Sequence, residues 1–113
     1  MATDKDFIEY VYEQVGRTGD TRYRKMFGDY MVYVNNKPIF LVCDNTVYIK
    51  KHECLKELLQ NAEVGIPYKG AKEHYIVDID DFELCEAIVK AVEPIIEVPR
   101  SRRESRANHS KPQ

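Results

Sequence analysis

Apolar side chains recur at helical spacing near the start of the chain, at Phe7, Ile8, Val11 and Val15. That periodicity predicts an amphipathic helix from Asp4 to about Val15 with one buried face. Thr3 suits its N-cap, Asp4 and Asp6 suit the positive end of the helix dipole, and Gly16 suits the stop. The period then changes to two. Thr21–Phe27 alternates Arg22 and Arg24 with Tyr23 and Lys25 and predicts a first strand. Asp29–Val34 reads as a second strand, and Asn35-Asn36 as a hairpin turn, because asparagine tolerates the left-handed backbone such turns demand. Pro38 opens a third strand, Ile39–Cys43. Asp44-Asn45 turns the chain again, into a fourth strand at Thr46–Lys50. The spacing of Leu55, Leu58 and Leu59 predicts a short second helix over Glu53–Asn61, closed by Gly65-Ile66-Pro67. Tyr68-Lys69-Gly70 fits either a short strand or a loop, and Tyr75–Ile79 a last strand. Asp80 then caps a third helix, whose stripe is Phe82, Cys85, Ile88, Val89 and Val92 and whose limit is Pro94.

The order α-β-β-β-β-α-β-α describes an α+β protein: a two-layer α/β arrangement, with an antiparallel meander sheet and helices mainly on one face. Within strand two, Tyr30, Val32 and Val34 face one way and Met31 and Tyr33 the other. Within strand three, Ile39, Leu41 and Cys43 oppose Phe40 and Val42. A sheet with one wet face alternates apolar with polar residues, and here both faces are apolar. The face away from the helices is therefore expected to meet a second subunit, a wrapping segment or a ligand.

Composition narrows the reading. A chain of 113 residues, 43% hydrophobic and 32% charged, is one ordinary globular domain with no apolar run long enough to span a membrane. The polar start, Met1 to Asp6, is not a secretory signal, so a cytoplasmic location is expected. Cys43, Cys54 and Cys85 are odd in number and irregular in spacing, which predicts neither a disulfide framework nor a metal set. The net charge of −2 hides an uneven distribution. Residues 1–98, the expected folded domain, carry 12 basic and 18 acidic side chains, whereas residues 17–51 within them carry seven basic and three acidic ones. Residues 99–113 hold Arg100, Arg102, Arg103, Arg106 and Lys111 against Glu104 and lack periodicity, so a disordered basic tail is expected. No Gly-rich phosphate loop and no Ser/His/Asp order stands in the chain. Asp78, Asp80 and Asp81 are better read as helix-start residues than as an acid–base pair. The expectation is a protein without cofactor that is not an enzyme.

Two motifs carry a family resemblance. Arg24-Lys25-Met26-Phe27-Gly28-Asp29-Tyr30 has the form basic-basic-Met-Phe-Gly-x-Tyr, and Asp44-Asn45-Thr46-Val47-Tyr48-Ile49-Lys50 the form Asp-x-x-Val-Tyr-Ile-Lys. With the opening Phe7-Ile8-Glu9-Tyr10-Val11, they make residues 3–98 resemble the N-terminal domain of the TfoX/Sxy family of competence regulators. The resemblance implies a two-layer fold similar to type III secretion chaperones and a part in transcriptional control, through protein contact first and contact with DNA as the alternative. Long members add a C-terminal helical domain, so the expected form here is a short stand-alone one. Lys51-His52 after strand four and Glu73–Asp78 near the end depart from the family's usual residues.

The candidate interaction surface is Arg22, Arg24, Lys25, Phe27, Tyr30, Tyr33, Phe40, Tyr48 and Lys50, with Arg100, Arg102, Arg103 and Arg106 as candidate tail contacts. Basic residues interleaved with tyrosines, including Lys51 and Tyr23, suit a nucleic-acid backbone and its bases. They also suit a charge-protected edge strand with cross-strand packing, and the acidic balance of the body favours this second reading. Apolar contact through Phe40, Val42, Met31 and Tyr33, or their opposite-face neighbours, predicts a homodimer. An unidentified protein partner, such as the transcription machinery, is the other expected contact.

Overall fold

The computed structural model describes residues 3–99. The basic segment 100–113 and its four candidate arginines lie outside the described residues. Two helices, α1 (Lys5–Gly16) and α2 (Phe82–Val92), pack on one face of a six-stranded antiparallel sheet. Its strands are β1 (Thr21–Met26), β2 (Asp29–Val34), β3 (Lys37–Cys43), β4 (Thr46–Lys50), β5 (Val64–Gly65) and β6 (His74–Ile76). Their order across the sheet is β1-β2-β3-β4-β6-β5. The expected α+β class, with its open meander and its helices to one side, is the fold observed.

Three tight turns build the meander. Each holds two residues at positive φ: Phe27 and Gly28, Asn35 and Asn36, Asp44 and Asn45. That is the backbone a two-residue turn needs to match the right-handed twist of its strands. Between β2 and β3 the register slips, Val32 pairing with Phe40 but Tyr33 with Pro38. Ile39 is the extra residue of a bulge, and Pro38, which has no N–H to give, sits beyond the reach of β4.

The core lies between the helices and one sheet face. Ile8, Val11 and Val15 of α1 and Cys85, Ile88 and Val92 of α2 meet Val32, Val34, Phe40, Val42, Val47 and Ile49, all buried. Each large side chain so buried stabilises the fold by roughly 1.5–3 kcal/mol relative to exposure. Lys37, at the start of β3, reaches the end of α2, where its Nζ donates to the Glu93 carbonyl and pairs with the Glu93 carboxylate at 3.0 Å.

Four local expectations are corrected. Residues 53–61 hold only a 3₁₀ turn, Glu53–Leu55, followed by further turns. Leu55 and Leu59 still reach the core, but Leu58 is exposed. So short a segment has little to offset the cost of nucleating an α-helix, and anchoring two leucines does not require one. The last strand is His74–Ile76, shorter than the expected Tyr75–Ile79, and it pairs with an extra strand at Val64–Gly65, while residues 66–73 form a loop, one of the two forms open to Tyr68–Gly70. The N-cap of α1 is Asp4. Thr3 is buried one position earlier, where its hydroxyl donates to the Val42 carbonyl and accepts from the Asn45 N–H. The N-cap of α2 is Asp81, whose carboxylate accepts from the Leu84 N–H, while Asp80 accepts from the Tyr10 hydroxyl.

Candidate functional site

The second face of the sheet carries no helix. Strand alternation places Arg22 and Arg24 of β1, Met31 and Tyr33 of β2, Leu41 of β3 and Tyr48 and Lys50 of β4 on it. Met31 pairs with Leu41 and Leu41 with Tyr48, so an apolar band runs across three strands. These side chains are half-buried, unlike the fully buried row on the helix face. Toward β4 and β6, residues of the 66–73 loop and Ile96, which follows α2 and packs against the core, border the band. Together they shape an open cleft of about 740 Å³. Met31, Ile39, Leu41 and Tyr48 line it on the sheet, with the buried His74 beside them, and Lys50, Lys51, His52, Tyr68, Lys72 and Glu73 line the rest.

Packing sets the orientation of the aromatic rings. The Arg22 guanidinium lies 4.1 Å from the centre of the Tyr33 ring and covers one of its faces. Tyr48 meets the His74 ring edge-on, with centroids 6.4 Å apart. Gly65 sits so close that a Cβ there would come within 3.3 Å of both Tyr48 Cε1 and Ile76 Cδ1. The missing side chain is what lets Tyr48 lie against β5. Burial pushes the Tyr48 hydroxyl above the usual tyrosine range, with smaller contributions from Cys43 and Asp44.

The charge of the cleft comes from lysines. Burial, and then the neighbouring Lys50, lower the His52 imidazole below the ordinary histidine range, so it is largely neutral at pH 7. Lys51 is tied to Glu73, while Lys50 and Lys72 are exposed and form no ion pair among the described residues. No group of three or more His, Cys, Asp or Glu able to hold a metal stands among the described residues. The thiol of Cys43 is raised to about 12 and that of Cys85 to about 11, both chiefly by burial, which leaves them protonated and poor nucleophiles at neutral pH.

Five of the nine candidate surface residues, Arg22, Arg24, Tyr33, Tyr48 and Lys50, share the open face. The others are dispersed. Phe40 is fully buried under the helices and Tyr30 nearly so, and both are core, as is Val42. Their strand positions put them in register with Val32 rather than with Met31. Lys25 pairs with Tyr30 and points to the helix side at the β1 edge. There Tyr23 packs edge-on between Tyr12 and Tyr30 and donates to Glu9. Phe27 stands alone at the β1–β2 turn, fully exposed. Leu41 could have joined the candidates from strand alternation with Met31. The contributions of Tyr68, Lys72 and Ile96 depend on a loop path and a chain reversal with no periodic signal.

A model of the TfoX N-terminal domain matches residues 13–92, well over half of the chain. The chain belongs to the TfoX N-terminal domain family. A relative from Spirochaeta aurantia, described as an uncharacterized 12.7 kDa protein in the trpE 5' region, is 30% identical over 105 residues, 91% of each chain. Membership places this chain in a competence-related, regulatory class of domain.

The TfoX-type motifs can now be sorted by what folding requires of them. Gly28 supplies a positive φ, Tyr30 enters the core, Asp44 and Asn45 turn the chain, and Val47 and Ile49 pack under the helices. Phe27, Tyr48 and Lys50 have no comparable task in the fold, and they are exposed or half-exposed. No helix among the described residues is long and apolar enough to cross a membrane.

Proposed function

We propose that this TfoX-type domain is a non-enzymatic regulatory module that acts by binding a protein through the open face of its sheet. One observation carries the reading. The band Met31–Leu41–Tyr48 continues into an open cleft of about 740 Å³. A pocket of that size with an apolar floor and a few polar groups at the rim has the make-up of a recognition site.

Nucleic-acid binding through this face has Arg22, Arg24, Tyr33 and Tyr48 in its favour, but base stacking needs free ring faces. Arg22 occupies one face of Tyr33, and Tyr48 is held against Gly65 and His74, so few ring faces are left for bases. A protein partner makes no such demand.

Leu41→Asp puts a charge at the centre of the band while leaving the helix face intact. In the native host, the variant chain is expected to fold and accumulate yet to reproduce the transcript profile of a deletion strain. A wild-type transcript profile from a folded Leu41→Asp chain removes the open face from the function.

A further inference from the structure

We infer that the occupant of the cleft is an acidic, amphipathic polypeptide segment of another protein, its apolar side chains on the Met31–Leu41 floor and its carboxylates on Lys50 and Lys72. The inference rests on the interaction reading above and deepens it by naming the partner's chemistry.

Three kinds of occupant compete for a bare apolar face: a second copy of the chain, the chain's own remaining segment and a foreign molecule. Charge decides among them. Arg22, Arg24, Lys50, Lys51 and Lys72 lie on or around the face. Among the residues lining the cleft the one carboxylate is Glu73, already spent on Lys51, and Asp29 lies at the far end of the sheet, near Thr3. Stacking two such faces in a symmetric dimer sets cations against cations at both ends of the band, and like charges face to face oppose association. The segment 100–113 carries four arginines and a lysine against one glutamate, so the same argument disfavours it as a cover. A foreign segment with carboxylates beside leucine or phenylalanine satisfies both halves of the site. Its apolar side chains leave water against the floor, and its charges meet lysines that have no other partner among the described residues.

The shape of the site supports a polypeptide over a polynucleotide. Met31, Ile39 and Leu41 give the cleft an apolar floor, and of the tyrosines along it Tyr48 is packed against Gly65 and His74, which leaves the exposed Tyr68 as the ring open to stacking. At the Phe27 end of the molecule Asp4, Asp29 and Asp44 gather around the Thr3–Asn45 contacts, a poor surface for a phosphate backbone to pass. A short acidic segment bound at the other end never meets them.

The test uses the full chain and labelled probes read by fluorescence anisotropy. One probe is a short peptide with Leu and Phe at helical spacing among Glu residues. The others are the same peptide with Lys for every Glu, an all-Glu peptide, and single-stranded and duplex oligonucleotides. The expected result is saturable binding of the acidic amphipathic peptide alone. Its affinity should weaken about tenfold between low salt and about 0.5 M salt, where the screening length shrinks to a few ångströms. Lys50→Glu with Lys72→Glu, both exposed and safe for folding, should weaken it about tenfold again, the sum of two modest surface pairs reversed in sign. Leu41→Asp should abolish it.

Equal binding of the Lys peptide overturns the inference, since the floor alone would then be acting. So does oligonucleotide binding that the double Lys variant removes. A concentration-dependent dimer in light scattering that Leu41→Asp dissolves assigns the face to a second copy and overturns it too. If no acidic peptide binds but Leu41→Asp still reproduces the deletion profile, the interaction module stands and its acidic occupant falls.

Discussion

Phe27 holds a backbone conformation that a bulky side chain ordinarily avoids. Its φ is +51°, and its ring touches nothing that would shield it from water. Asparagine and aspartate fill the same kind of position at Asn35 and Asp44, where short polar side chains tolerate the left-handed region. The left-handed backbone costs an ordinary residue roughly 1–2 kcal/mol. An exposed ring returns none of that to folding. Phe27→Asn is therefore expected to raise stability by up to about 1 kcal/mol, a few degrees in Tm for a domain of this size. Thermal unfolding followed by circular dichroism reads it directly. A clear fall in Tm would mean that the ring has packing partners in solution. Phe27 remains one of the family-motif residues that the fold does not need, and it stands at the opposite end of the sheet from the cleft.

At the scale of elements, the two helices are held to the sheet by different means. In α1, a single stripe of Ile8, Val11 and Val15 is anchored, and Asp4 makes no side-chain capping bond. In α2, a richer stripe is combined with a true cap, the Asp81 carboxylate on the Leu84 N–H. Asp80, one residue earlier, instead ties α2 to α1 through the Tyr10 hydroxyl, at an exposed position. Asp81→Ala is accordingly expected to cost about 1 kcal/mol, the usual worth of an N-cap. Asp80→Ala removes only an exposed contact and should cost less. Urea unfolding of the two variants settles the order, and the reverse order would show that the helix starts one residue earlier. The 3₁₀ turn at Glu53–Leu55 works differently again. Leu55 and Leu59 fasten it to the core, and its backbone is held mainly by turn-type bonds such as Leu55 N–H to His52 O and Lys56 N–H to Glu53 O.

Across the whole molecule, burial is graded from the middle of the sheet outward. β2, β3 and β4 have ladder partners on both sides and a buried row beneath the helices. β5 is two residues long and sits at an edge, and it is followed by the largely exposed 66–73 loop. Hydrogen exchange should therefore be slowest for paired amides of β2–β4 and fastest for residues 64–73, spanning nearly the full free energy of unfolding. Fast exchange in β3 would contradict the central placement of that strand. The loop expected to be least protected also lines the cleft, as the proposed docking of a polypeptide segment there would require. Charge is arranged at the same scale. Cations surround the open face, whereas Asp78, Asp80, Asp81, Glu83 and Glu86 gather at the start of α2.

Local chemistry made much of this legible in the chain alone. Period-two alternation from Thr21 to Lys50, punctuated by Asn-Asn and Asp-Asn, determined four strands and two of the three turns, because each strand's faces and each turn's φ are set by adjacent residues, whereas Phe27, read as the end of the first strand, proved to be part of the third turn. The stripes Ile8–Val11–Val15 and Cys85–Ile88–Val92 determined two helices for the same reason, and two motifs pointed to the family. What alternation could not determine was which of two apolar faces the helices would cover. Phe40 and Leu41 are neighbours of similar character, and only the packing of both helices against Val32, Phe40 and Val42 made one core and the other cleft floor. The pairing of Val64 with Tyr75, the path of residues 66–73 and the return of Ile96 were likewise decided by tertiary structure. Their stabilising contacts join residues far apart in the chain, and such contacts leave no periodic trace in sequence.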